Sequence, residues 1–169
     1  MMEGRFRASA RRPARAAAGF TLVELAIVLV IFGIVSAIAV PGLNKFLRSL
    51  ELDGEVQGFA TTLRVVRQRS ITENNNYVIY WSATERKLKW WDDDNNNGVQ
   101  DGPEKSGATS ALANWITVTN SSTNPFPSDT VTFTPNGSAS VSGSVLYSNT
   151  EGYTRSVSVV RPTGMVTVQ

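Results

Sequence analysis

The sequence contains neither cysteine nor histidine. Without cysteine there is no disulfide frame, no thiolate metal site and no thiol nucleophile. Without histidine the Ser-His and Cys-His catalytic arrangements fall away, as do histidine-ligated zinc and the usual general base near neutral pH. Carboxylate or lysine chemistry is formally open, but no convergent set of such residues stands out, and an enzyme is not expected. Basic residues are also scarce where a fold would use them. Arg5, Arg7, Arg11, Arg12 and Arg15 all precede Gly19, against a single acidic residue there, Glu3. Beyond Gly19 the chain carries 11 basic and 13 acidic residues, a net charge of −2 rather than the +2 of the whole. Bulk attraction to nucleic acid is therefore not implied for the folded part.

What is present is a long apolar run, "AAAGFTLVELAIVLVIFGIVSAIAVP", from Ala16 to Pro41. Phe20 to Val40 reaches about 30 Å as a helix, the thickness of a hydrocarbon core. The arginines ahead of it keep the N-terminus cytoplasmic and send the rest of the chain across. Three ordinary readings fit such a segment. One is a secretory signal cut after Ala37-Ile38-Ala39, before Val40. Another is a twin-arginine signal at Arg11-Arg12, which Pro13 and the alanines after it fit poorly. The third is a plain uncleaved anchor. None explains Glu24, because a carboxylate near the bilayer centre costs about 2.5 to 3.5 kcal/mol and usually signals a partner. A glutamate that merely snorkels to the headgroups is the bland alternative, though its stem is short for that.

Gly19-Phe20-Thr21-Leu22-Val23-Glu24, after a basic leader and before an unbroken apolar run, resembles the class III signal of type IV pilins and pseudopilins. The resemblance implies that a prepilin peptidase cuts between Gly19 and Phe20 and that Phe20 is N-methylated. It also implies three segments: a cleaved leader over 1–19, a transmembrane assembly helix over 20–41, and an amphipathic helix with a periplasmic head over 42–169. Pro41 falls where many family members carry a helix-bending proline. Glu24 becomes the fifth mature residue, which family precedent pairs with the N-terminal ammonium of a neighbouring subunit. In a water-poor bundle a missing partner would cost about 3 to 5 kcal/mol, by analogy with broken buried pairs, so the charge would set subunit register. Implied partners are other pilins or pseudopilins, the prepilin peptidase and an inner-membrane assembly platform. The implied location is the bacterial inner membrane, then a pilus or pseudopilus.

After Pro41 the apolar residues become periodic: Leu43, Phe46, Leu47, Leu50, Val56, Phe59, Leu63 and Val66. Steps of three and four predict an amphipathic helix to about Thr72, with one face on the head. Asp53-Gly54 and Gly58 weaken its propensity, and Pro41-Gly42 is expected to bend or loosen it. Arg64, Arg67 and Arg69 read as a solvated face. "YVIYW" and "KLKWW" predict a hairpin. Further strands are expected over 115–119, 130–134, 140–147, 156–160 and 165–168, most with one buried face. The fold class is α+β, a pilin fold whose long N-terminal helix packs on a mostly antiparallel β head. "LRVVRQRSITENNNYVIYW", "FTPNGSA" and "RSVSVVRPTGMVTV" make the head similar to GspH/FimT-type minor pilins or pseudopilins, whose heads pack two small sheets on the stem. The likeness is weakest between Glu104 and Asp129.

"DDDNNNGVQDGPE" matches the twelve-residue calcium-loop pattern when Asp93 is position one. Asn95, Asn97, the Val99 carbonyl, Asp101 and Glu104 would supply further oxygens, with Gly98 at the sharp turn. No helix pair is expected to flank the loop, and acidic turns of this composition also occur as plain solvated loops. Two other functions compete with a structural subunit. A FimT-like tip subunit capturing DNA would rest on Arg155 and Arg161, a thin basic surface. An exported adhesin or enzyme would use the N-terminus only as a signal peptide.

Overall fold

The computed structural model describes residues 19–82 and 84–169. The leader and its five arginines, apart from Gly19, lie outside the described residues. The chain divides into two compact units after Pro41. A single 51-residue helix, α1 (Leu22–Thr72), contributes to both, with Pro41 inside it. Proline has no N–H, so the bond that would reach the Ala37 carbonyl is absent there.

In the first unit every described side chain is exposed, and an 18-residue window of α1 has a mean hydropathy of 2.8 with none of it buried. The stretch is long and apolar enough to cross a membrane. A surface this continuous and apolar needs lipid or other helices against it.

In the second unit eight strands form two antiparallel four-stranded sheets. They are β1 (Tyr77–Ser82), β2 (Lys87–Asp92), β3 (Ser106–Ala108), β4 (Ile116–Asn120), β5 (Thr130–Phe133), β6 (Gly143–Asn149), β7 (Thr154–Val160) and β8 (Met165–Val168). The sheet orders are β3-β2-β1-β5 and β4-β6-β7-β8. The expected hairpin is β1–β2, with Val78 opposite Trp91 and Tyr80 opposite Lys89. Strand alternation does what a half-buried sheet requires: Val145 and Tyr147 of β6 and Val157 and Val159 of β7 turn inward, while the residues between them do not.

One hydrophobic cluster joins Leu52, Val56, Phe59, Ala60, Leu63 and Val66 of α1 to both sheets. Phe59 meets Trp81 of β1 edge-on at 6.4 Å and Tyr147 of β6 at 5.2 Å, so a single ring touches each sheet. The buried face begins later than the periodicity suggested. Leu43, Phe46, Leu47 and Leu50 are exposed, and burial starts at Leu52. Spacing shows that a helix has an apolar face, but not which stretch of it the head is long enough to cover.

Candidate functional site

Gly19 and Phe20 precede α1 as irregular chain, and Phe20 is 89% exposed. Thr21 caps the helix: its carbonyl accepts the first helical bond from the Leu25 N–H at 3.2 Å. The Thr21 N–H and hydroxyl donate to Glu24 Oε2 at 2.8 and 2.9 Å, and the Glu24 N–H donates to Thr21 Oγ1 at 3.2 Å. This is a capping box, in which two otherwise orphaned helix N–H groups are satisfied reciprocally. The T-x-x-E spacing of Thr21 and Glu24 is the sequence signal for this cap. Neither bond to the carboxylate uses Oε1, which leaves that oxygen for a further donor.

Of the outer-helix arginines expected as a solvated face, Arg64 is exposed and Arg67 and Arg69 are half-buried, and all three contact the head. Arg67 donates from Nε to the Gly137 carbonyl and from Nη2 to the Thr163 carbonyl, both at 2.8 Å. Arg64 reaches the Val166 carbonyl at 3.2 Å, and the Arg69 guanidinium lies 4.5 Å from the centre of the Trp90 ring. Gly137 and Gly164 make room for Arg67. A Cβ on Gly164 would lie 2.2 Å from the Gly137 carbonyl oxygen and 2.7 Å from Arg67 Nε, and both glycines have positive φ. The two glycine turns belong to "FTPNGSA" and "RPTGMVTV", so both head motifs converge on one helix arginine. Of the two arginines offered for DNA, Arg155 is engaged: its Nε lies 2.7 Å from Asp53 Oδ1.

The acidic loop closes a hairpin rather than joining helices. β2 ends at Asp92 and β3 starts at Ser106, with Trp91 paired to Ser106 and the Asp92 N–H donating to the Lys105 carbonyl at 2.9 Å. Asp93 is buried, and its two oxygens accept from the Asn97 and Gly98 N–H groups at 2.9 and 3.0 Å. Gly98 takes φ of +74°, the left-handed turn its position in the pattern demands. Asn97 Oδ1 accepts from the Val99 N–H at 2.7 Å. The Asn95 and Asn97 amides both donate to Asp101 Oδ2, at 2.6 and 2.9 Å. Glu104 Oε2 accepts from the Asp101 N–H at 2.8 Å. The loop rests on the turn that ends α1, through Asn75 to Asp94 at 2.6 Å, Asn76 to Asn96, and the Asp93 N–H to the Asn76 carbonyl at 2.9 Å. Lys105 bonds Glu73 at 2.8 Å, which holds the Glu73 carboxyl below its ordinary range. Among the described residues no three carboxylates stand together as a ready metal cluster; amide groups separate them.

Residues 14–40 match the prokaryotic N-terminal methylation motif, and residues 55–164 match the family described as type II transport protein GspH. No curated protein matches the chain. Among solved structures it is similar to the minor pseudopilin EpsH from the type 2 secretion system of Vibrio cholerae, at 13% identity and a TM-score of 0.53, over 70% of this chain and 96% of that one. It is similar also to the type IV minor pilin FimU of Pseudomonas aeruginosa, at 17% identity and a TM-score of 0.55, over 73% of this chain and 92% of that one. At these identities the likeness shows a shared pilin-like fold. Both neighbours are structural subunits, and the methylation motif on an apolar helix fits a membrane-anchored pilin. With well over half of its residues inside the matched region, the chain belongs to the GspH family of type II transport proteins.

Proposed function

We propose that this chain is a minor pilin or pseudopilin subunit, cut between Gly19 and Phe20, held in the inner membrane by the apolar part of α1, and then assembled into a type IV pilus or type II secretion pseudopilus. The observation that carries the reading is the pairing of a methylation-motif helix, apolar and uncovered from Phe20 onward, with a GspH head. In lipid that helix is at rest; in a filament the same surface packs against its counterparts on other subunits.

Glu24 sets the register of that packing. Its Oε2 caps its own helix through Thr21, and its Oε1 accepts from the N-terminal ammonium of a neighbouring subunit. Helices sliding past one another would keep most of their apolar contact but lose this pair, so the carboxylate distinguishes stagger where grease does not. Capture of DNA is less well supported, since Arg155 already serves Asp53. N-terminal sequencing and mass spectrometry of the mature protein test the processing step: a chain beginning at N-methylated Phe20 is expected. A chain beginning at Val40 would overturn the reading in favour of simple secretion.

A further inference from the structure

We propose that Asp93 to Glu104 forms a calcium site at the tip of the β2–β3 hairpin, a role separate from assembly through the membrane helix. Its spacing offers oxygens at positions one, three, five, seven, nine and twelve of a calcium loop. Spacing alone would equally describe a solvated acidic turn. What separates the two is Glu104, at position twelve, where calcium loops place a carboxylate that binds through both oxygens. Glu104 is only 8% exposed, its Oε2 is fixed to the loop by the Asp101 N–H, and its Oε1 is enclosed without any hydrogen-bond partner. At the other end of the loop Asp92 also holds an enclosed, unpartnered oxygen, Oδ1. Carboxylates leave water only when something compensates their charge. From Asp92 to Glu104 there are five acidic residues and no basic one, and the nearest lysine, Lys105, is engaged by Glu73. Lys105 also faces the charges of Asp92 and Asp94, but one lysine shared with Glu73 falls short of five carboxylates, and a cation in the loop supplies the balance.

Calcium suits the donors better than other cations do. They are oxygens only, six in number, from one loop, and magnesium requires a tighter octahedron and keeps its water. Asn95 and Asn97 now turn their amide nitrogens to Asp101 Oδ2. Each amide oxygen accepts a backbone N–H, from Asn97 at 3.0 Å and from Val99 at 2.7 Å, so turning oxygen toward Asp101 to meet an ion exchanges those two bonds for ligation. The β2–β3 ladder holds positions one and twelve close together, which is the work a helix pair does in other calcium loops.

The test uses the full chain in non-ionic detergent micelles, freed of metal with EGTA and titrated with calcium chloride or magnesium chloride. Calorimetry is expected to give one calcium per chain with a Kd on the order of 10⁻⁴ to 10⁻³ M, as in extracellular calcium modules. The melting temperature followed by tryptophan fluorescence should rise with calcium. Glu104→Gln keeps an acceptor for the Asp101 N–H and should weaken calcium at least tenfold without lowering the metal-free melting temperature. Should that variant lose its far-UV circular dichroism, Asp101→Asn carries the same comparison. A wild-type chain that melts alike in EGTA and in excess calcium overturns the site, and so does unchanged calcium affinity in the folded variant.

Discussion

Thr21 and Glu24 hold each other at the first turn of α1 through three hydrogen bonds, two of them converging on one carboxylate oxygen. The glutamate thus has an intramolecular role before any second subunit arrives. The two roles separate by mutation. Thr21→Val removes the hydroxyl and weakens the cap by about 1 kcal/mol, which should appear as faster amide exchange over the first helical turn in micelles. It leaves the Glu24 side chain in place to meet a neighbour, so filament incorporation should persist. Glu24→Ala should speed the same exchange and also abolish incorporation, scored by immunoblot of sheared filaments. Equal incorporation of both variants would show that the carboxylate only caps.

Arg67 joins the stem to two turns of the head through backbone carbonyls, and hydrogen bonds from a charged donor contribute about 1.5 to 3 kcal/mol. Arg67→Ala should lower the melting temperature by roughly 5 to 10 °C. Arg67→Lys should recover little of this, because a point-like ammonium cannot serve two carbonyls from a rigid fork. Full recovery by lysine would mean that charge, not geometry, matters there.

Three glycines give a graded series in the same melting experiment. Gly164→Ala meets a backbone oxygen at 2.2 Å with φ at +60°, and should cost about 3 kcal/mol or prevent folding. Gly152→Ala has a positive φ but open space around it, so only backbone strain applies, about 1 kcal/mol. Gly58→Ala lies inside α1 with nothing near its Cβ and should stabilise by about 0.5 to 1 kcal/mol. A reversed order would refute the assignment of these effects to contact and backbone angle.

Glu73 supplies a pH dependence with a definite sign. Its hydrogen bond to Lys105 lowers its folded pKa below the ordinary carboxylate value. The stabilisation is therefore present above that ordinary value and is lost as the pH falls through the folded one. Glu73→Gln should melt lower than wild type at pH 7, by a small margin because the pair is partly exposed, and the difference should close once the medium is acidified below the lowered folded value. A gap that persists in acid would assign the effect to packing.

Much of the architecture could be read from pattern. The end of α1 at Thr72 and the β1–β2 hairpin follow from helical period, asparagine-rich turns and aromatic alternation. β3 could not be read that way, because Ser106, Gly107 and Ala108 carry no apolar alternation and become a strand only by pairing with β2. The contacts of Arg67 are hidden from pattern for a related reason. The acceptors of Arg67 lie 70 and 96 residues away and are backbone carbonyls, which no side-chain pattern announces. At the N-terminus the methylation motif and the apolar helix are legible because a short motif and an unbroken apolar run are both local features. The cap at Thr21 is harder to see because T-x-x-E lies inside the methylation motif, whose other residues draw attention first.

Phe59 is the one aromatic ring of α1 in edge contact with both sheets, through Trp81 and Tyr147. Neither sheet can separate from the stem without exposing that ring, so the hydrophobic loss of opening one is shared with the other. Cooperative melting of the whole head is the consequence: a force pulling on the stem meets both sheets as a single mechanical element, which releases all at once or holds.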